Sequence, residues 1–350
     1  MKPNIFELAT TELTQDAFIT WLLLYASPEL SSYDARLNQC GQDFIKSMLQ
    51  LQIPGFNEEI TKVDAGRQFE NIDIWAKVND RYFIIIEDKV NTTHHSNQLS
   101  RYREIADKWC VEHKFEQPIC IYLKTGNESK TNLEAIKQKG YGIFSRKTFL
   151  DILENYTDIK NEIFSDYVVR LSEIERSNTL YRSKDLGTWN GNDWQGFFQF
   201  LESDLGLINW NYVNNPNGGF WCAVLNWETW RQNPLYLQIE EGKLCFKVST
   251  HIEDLTAPAE TEKSETRNLI HKSIMNRAKE YGFAELRKPQ RFGHGNYMTV
   301  AVVEKKDWLG EDDSKLNSLK VLSNLQKYKD FVRDMCRYEL NLSRIVSAEL

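Results

Sequence analysis

The sequence predicts an α/β fold, a mixed central sheet flanked by helices, followed by an α+β second half. Three observations predict it. Two runs, FIII (83–86) and PICIYLK (118–124), are continuously apolar rather than alternating, as in strands buried on both faces. Helix-length segments lie before, between and after them. The order reads αβββαβ with further α and β behind, the pattern of a layered sheet with helices on its faces.

The first helix is expected from about Leu13 to Tyr25, because Phe18, Trp21, Leu22 and Tyr25 share one face. Thr11 or Thr14 is its expected cap, and Pro28 lies beyond its end. A second helix is expected over Gln42–Leu51, ended by Pro54–Gly55. Strand character follows at 57–64 (NEEITKVD), 71–78 (NIDIWAKV) and 82–88 (YFIIIED), the last two joined around Asn79, Asp80 and Arg81. A helix from about Asn97 to Cys110 leads to the strand at 118–124. A helix near Leu133–Lys139, a strand at 140–144 and helices at 146–155 and 161–176 complete this half.

Residues 177–192 are polar and contain glycine, which places a boundary near 185: one domain over 1–185 and an α+β domain over 186–350. The second half is rich in aromatics, read as core. Strands are expected at 221–227, 234–240, 243–249 and 297–304, with Glu241–Gly242 as a tight hairpin turn. Helices are expected at 262–281 and 315–340. No internal repeat or low-complexity stretch is visible.

The 350 residues fit one large or two modest domains, and 41% hydrophobic residues suffice for a real core. A net charge of −7 argues against a surface that coats nucleic acid indiscriminately but permits a local basic cleft. Cys40, Cys110, Cys120, Cys222, Cys245 and Cys336 include no CxxC pair, so neither a zinc ribbon nor a redox dithiol is encoded locally. The start of the chain lacks the apolar core of a signal peptide, and no run approaches the roughly 20 apolar residues that span a bilayer. A reduced cytoplasmic setting without membrane contact is the expectation. No phosphate-binding glycine loop, dinucleotide fingerprint or nucleophile elbow appears.

Asp73 and Glu87 are carboxylates set among apolar neighbours on successive strands. Buried acids are costly unless paired or bound to a cation. Magnesium takes one or two carboxylates and completes its shell with water and phosphate. If residues 79–81 form a three-residue loop, Val78 faces Tyr82 and Asp73 faces Glu87, with opposed Cβ atoms about 4.5–5.5 Å apart. A two-residue loop would turn the acids to opposite faces. Lys89, two residues beyond Glu87, shares its face. An ammonium there can orient the attacking water or neutralise charge that develops on phosphorus.

An Asp, then Glu-x-Lys on the next strand after an apolar run, resembles the PD-(D/E)XK nuclease superfamily, with Asn71–Ile72 where a Pro often precedes the Asp. QLSRY places Gln98 and Tyr102 at i and i+4 and resembles a subset of these nucleases, the recombination-type exonucleases and their relatives. Glu12, in TTELTQDAFITWLL, resembles the first-helix Glu that often joins the metal cluster. It also resembles the amino-terminal segment of a bacterial branch often found in phage defence. The resemblance covers roughly residues 5–125. It implies a restriction-endonuclease-like αβββαβ core and a metal-dependent deoxyribonuclease active in restriction, repair or phage defence. It implies that Glu12, Asp73, Glu87 and the Asp88 carbonyl hold Mg2+ (or Mn2+). Asp73, Glu87, Lys89, Gln98 and Tyr102 would form the catalytic set, with DNA as partner.

The alternatives are plain. Asp73 and Glu87 could form an ion-pair network with Lys89 or Arg81. Gln98 and Tyr102 could cover a helix, and Glu12 could complement a helix dipole. Asp88 should point to the other sheet face. His94–His95 and the GHGN stretch (293–296) read as solvated loops. Lys263, Arg267, Lys272, Arg277, Lys279, Arg287, Lys288 and Arg291 form either a solvated face or a phosphate-tracking surface. A catalytically silent nucleic-acid-binding or regulatory module is the competing function. The second half is expected to supply substrate selection, a homodimer contact or a protein-partner surface.

Overall fold

The computed structural model describes residues 3–90, 97–215, 218–251, 260–293 and 295–348. The chain divides into two compact units, Met1–Ser177 and Asn178–Leu350.

The first unit opens with α1 (Ile5–Leu8), α2 (Glu12–Tyr25) and α3 (Ala35–Gln50). Asp34 caps α3 by accepting from the backbone N–H groups of Arg36 and Leu37. The helix therefore starts well before Gln42, the start expected from apolar spacing alone. Then come β1 (Val63–Phe69), β2 (Ile72–Val78), β3 (Tyr82–Lys89), α4 (Gln98–His113), β4 (Ile119–Lys124), α5 (Lys130–Gln138), β5 (Gly142–Ser145), α6 (Arg146–Glu154) and α7 (Glu162–Ser177). The strand expected over 57–64 lies later, because Glu70 and Asn71, both with positive φ, close a hairpin that pairs Phe69 with Ile72.

The sheet order is β1-β2-β3-β4-β5. The first three strands are antiparallel, and β3, β4 and β5 run parallel. The central strand β3 is buried at every position. Ile84 and Ile86 face a core built with α2, α3, α6 and α7. Phe83 and Ile85 face a second core built with α4 and Ile136 of α5. Helices thus cover both faces, and polar residues at the carboxyl end of β3 are held between two packed layers.

The second unit contains α8 (Gly191–Asp204), β6 (Asn209–Val213), β7 (Phe220–Trp230), β8 (Asn233–Glu240), β9 (Lys243–Ser249), α9 (Glu260–Glu280), β10 (Tyr297–Val303), α10 (Lys305–Trp308) and α11 (Ser318–Ala348). Its antiparallel sheet runs β10-β9-β8-β7-β6. Glu241 (φ 41°) and Gly242 (φ 103°) make the tight turn between β8 and β9. Tyr181 and Leu186 belong to this unit's core, with Trp194, Trp210, Trp230 and Trp308. The polar stretch around the boundary expected at 185 is therefore anchored in the second unit.

Candidate active site

Asn79, Asp80 and Arg81 form the loop between β2 and β3, and Val78 pairs with Tyr82. Asn79 (φ 57°) and Asp80 (φ 51°) take the left-handed conformation that tight hairpins require. The Asn79 side chain anchors the loop by accepting from Thr61 N–H and donating to Glu59 O. Pairing continues to Ile74–Ile86, and the same register carried one step further would set Asp73 opposite Glu87. The odd loop length expected from parity is the one observed.

Lys89 Nζ lies 2.6 Å from Glu87 Oε1, 3.6 Å from Asp73 Oδ2 and 3.7 Å from Glu12 Oε2. It also donates to the Asp88 carbonyl at 3.0 Å. Four oxygens from β2, β3 and α2 therefore surround one ammonium. The backbone fastens two of the acids: Asp88 N–H donates to Asp73 Oδ2 and Val90 N–H to Glu12 Oε1. Asp73 and Glu12 stay partly exposed, whereas the Glu87 side chain is 1% exposed. Among the described residues, Glu87 Oε2 is buried without a hydrogen bond.

Burial, followed by the charge of Asp73, pushes the Glu87 carboxyl up to about 8, against the pull of Lys89. Burial pushes Lys89 down, but Glu87, Asp73 and Glu12 outweigh it and raise the ammonium above its ordinary value. The two shifts compete, since a proton on Glu87 removes one of the charges that hold Lys89.

The Asp88 side chain points away from this cluster, as alternation along β3 requires. It is fully buried and accepts from Gln15 Nε2 at 2.6 Å. Gln15 Oε1 in turn accepts from Thr125 Oγ1 and the Tyr167 hydroxyl. Burial and the neighbouring Asp16 push Asp88 well above the carboxylate range. Asp16 rises to about 6, from burial first and Asp73 second. Gln98 donates to the Tyr102 hydroxyl at 3.2 Å, and Tyr102 packs in the core that also contains Ile85 and Tyr122. His94 and His95 lie outside the described residues, as does His294 of GHGN.

Sequence reasoning missed Asp16 and the Lys124–Glu128 pair. Lys124 aligns with Lys89 across β3 and β4, and its Nζ lies 3.5 Å from Glu128 Oε2. Both side chains are nearly inaccessible, and burial lowers Lys124 despite Glu128. The available signal was a lysine closing the apolar run ICIYLK, which nothing local distinguishes from a strand end at the surface.

Among the described residues, no three His, Cys, Asp or Glu side chains form a ready-made metal cluster. Lys89 lies among the carboxylates instead. The donor set nonetheless suits a hard divalent cation. It is all oxygen, includes two or three carboxylates and a carbonyl, and holds a buried carboxylate oxygen without a partner. No helix of the described residues is long and apolar enough to cross a membrane.

A family model described as PD-(D/E)XK nuclease superfamily matches residues 3–181. Searches against curated proteins and solved structures give no match. The matched segment spans the five-stranded mixed sheet, its flanking helices and every residue of the carboxylate–lysine cluster. The chain belongs to the PD-(D/E)XK nuclease superfamily.

Proposed function

We propose that this protein is a metal-dependent DNA nuclease that hydrolyses phosphodiester bonds at the cluster of Asp73, Glu87 and Lys89. The carrying observation is the convergence of these residues with Glu12 at the end of β3, in a chain of a nuclease superfamily. Asp73, Glu87 and the Asp88 carbonyl, with Glu12, would hold Mg2+ or Mn2+. Such an ion, when bound, supplies positive charge against the phosphate oxygens and makes hydroxide available near neutral pH. Lys89 orients the attacking water and offsets charge developing on the phosphoryl oxygens. Gln98 and Tyr102, bonded to each other on α4, position the substrate strand. Restriction, repair or phage defence is the setting we infer from the family. A cytoplasmic location fits six buried cysteines that form no disulfide.

The test is cleavage of plasmid, single-stranded DNA and RNA with magnesium or manganese. Lys89→Ala and Asp73→Ala should each lose about 10²–10⁴-fold in rate while keeping the wild-type circular dichroism. Absence of cleavage by the wild type on every substrate and with both metals would overturn the reading. Magnesium binding without cleavage, lost in Asp73→Ala, would identify a silent binding module instead.

A further inference from the structure

We infer that the second unit carries its own binding surface for a nucleic-acid phosphate backbone, centred on Phe292. The identity of the polyanion rests on the nuclease reading above; the surface rests on separate residues. The Arg267 guanidinium lies 4.2 Å from the Phe292 ring centroid and the Lys288 ammonium 4.5 Å from it. The His271 ring packs on the same phenyl at 5.1 Å. One half-buried ring therefore gathers two full positive charges.

The surrounding frame is fixed. Arg267 Nη1 donates to Phe292 O at 2.7 Å, and the His271 ring meets Val300 O at 2.7 Å. Arg287 and Val302 exchange backbone hydrogen bonds. Lys263, one helical turn before Arg267 on α9, donates to Asn296 Oδ1, and exposed Arg291 precedes Phe292.

Electrostatics gives this arrangement its meaning. Among the described residues, Lys263, Arg267, Lys288 and Arg291 form no ion pair, whereas nearby Arg277 and Arg287 pair with Glu280 and Asp307. Residues 262–291 hold eight Lys and Arg against four Glu, inside a chain of net charge −7. Glu280 neutralises Arg277, one of the eight, and Glu285 turns to Tyr328 and Lys327, which leaves Glu262 and Glu265 against the other cations. Positive charges gathered in excess of carboxylates repel, and an array of phosphates relieves that repulsion while releasing counterions. Contacts of this kind, made to phosphates, tolerate any base sequence.

The experiment measures anisotropy of labelled single-stranded and duplex DNA on the full chain, carrying Lys89→Ala and kept in EDTA so that cleavage plays no part. The test variant combines Lys263→Glu, Lys288→Glu and Arg291→Glu, which leave the Arg267–Phe292 frame in place. The control, Lys243→Glu with Lys306→Glu and Lys320→Glu, changes net charge equally at exposed positions elsewhere in the same unit. The test variant should bind about tenfold or more weakly, and its log–log salt dependence should flatten by about 1 per cation removed. The control should remain close to the parent. Unchanged binding in the test variant, or equal loss in the control, would overturn the inference. A wild type that binds through this patch yet never cleaves would fail the nuclease reading alone.

Discussion

Glu87 lies 2.6 Å from an ammonium yet is pushed toward its neutral form by burial, as are the neighbouring Asp16 and Asp88. Its folded-state value of about 8 exceeds the ordinary 4.5, so the folded protein binds this proton more tightly than the unfolded chain. The stabilisation from Glu87 is therefore full below about 4.5 and is lost as pH rises toward about 8. In the metal-free protein, urea titrations across that window should show falling stability, and Glu87→Gln should lessen the slope, with Asp16 and Asp88 supplying the rest. A bound divalent cation favours the carboxylate, so binding at pH 7 should release a proton. Calorimetry in buffers of different ionisation heat reads that release, and its absence would show that Glu87 is already ionised. Lys124→Met leaves buried Glu128 without its ammonium and should cost about 3–5 kcal/mol by chemical denaturation. A cost near zero would mean that water already reaches the pair.

The hairpin of β2 and β3 shows how an element sets the geometry of the candidate site. Its three-residue loop keeps Asp73 and Glu87 on one face, so deleting Asp80 should send the two acids to opposite faces. Cleavage should vanish in that variant even though every cluster residue is still present; retained activity would refute the parity argument. The connection after β4 acts similarly at a distance. A Cβ on Gly126 would lie 1.8 Å from Val90 O, directly beyond Lys89. Gly126→Ala should therefore displace the end of β3 and lower the cleavage rate, although it removes no functional group. A crystal structure of that variant would show whether Lys89 has moved from Asp73. At Gly41, a Cβ would meet Leu22 O at 2.6 Å, so this glycine sets how closely α3 approaches the helix that carries Glu12 and Gln15.

Across the whole molecule, each unit contains its own hydrophobic core, and the first unit divides its core between the two sheet faces. Phe246, fully buried in the second unit, packs against Tyr328 and Phe331. Phe246→Ala should cost that unit about 3–5 kcal/mol. Hydrogen exchange should then show weakened protection in β8, β9 and α11, with β3 and β4 protected as in the wild type. Equal loss in both units would mean that they unfold as one.

Much of the site is legible in the order of the residues alone. Continuous apolar runs mark β3 and β4 as central strands, and strict alternation ties Asp73, Glu87 and Lys89 to one face once the loop length is odd. These are local rules, in which neighbours along the chain determine one another. The start of α3, the position of β1 and the membership of residues 178–190 are harder to read, since a capping Asp34, a hairpin of non-glycine residues and a distant core decide them. Only the tertiary structure brings Glu12, 77 residues from Lys89 in sequence, to 3.7 Å from its ammonium. It alone buries Asp16 and Asp88 with Gln15, and sets Lys124 beside Lys89. The sequence by itself determined which side chains could share a face. The packing of helices on both sides of the sheet decided which charges lost their water, and burial, more than spacing, is what moves a carboxyl from 4.5 to about 8.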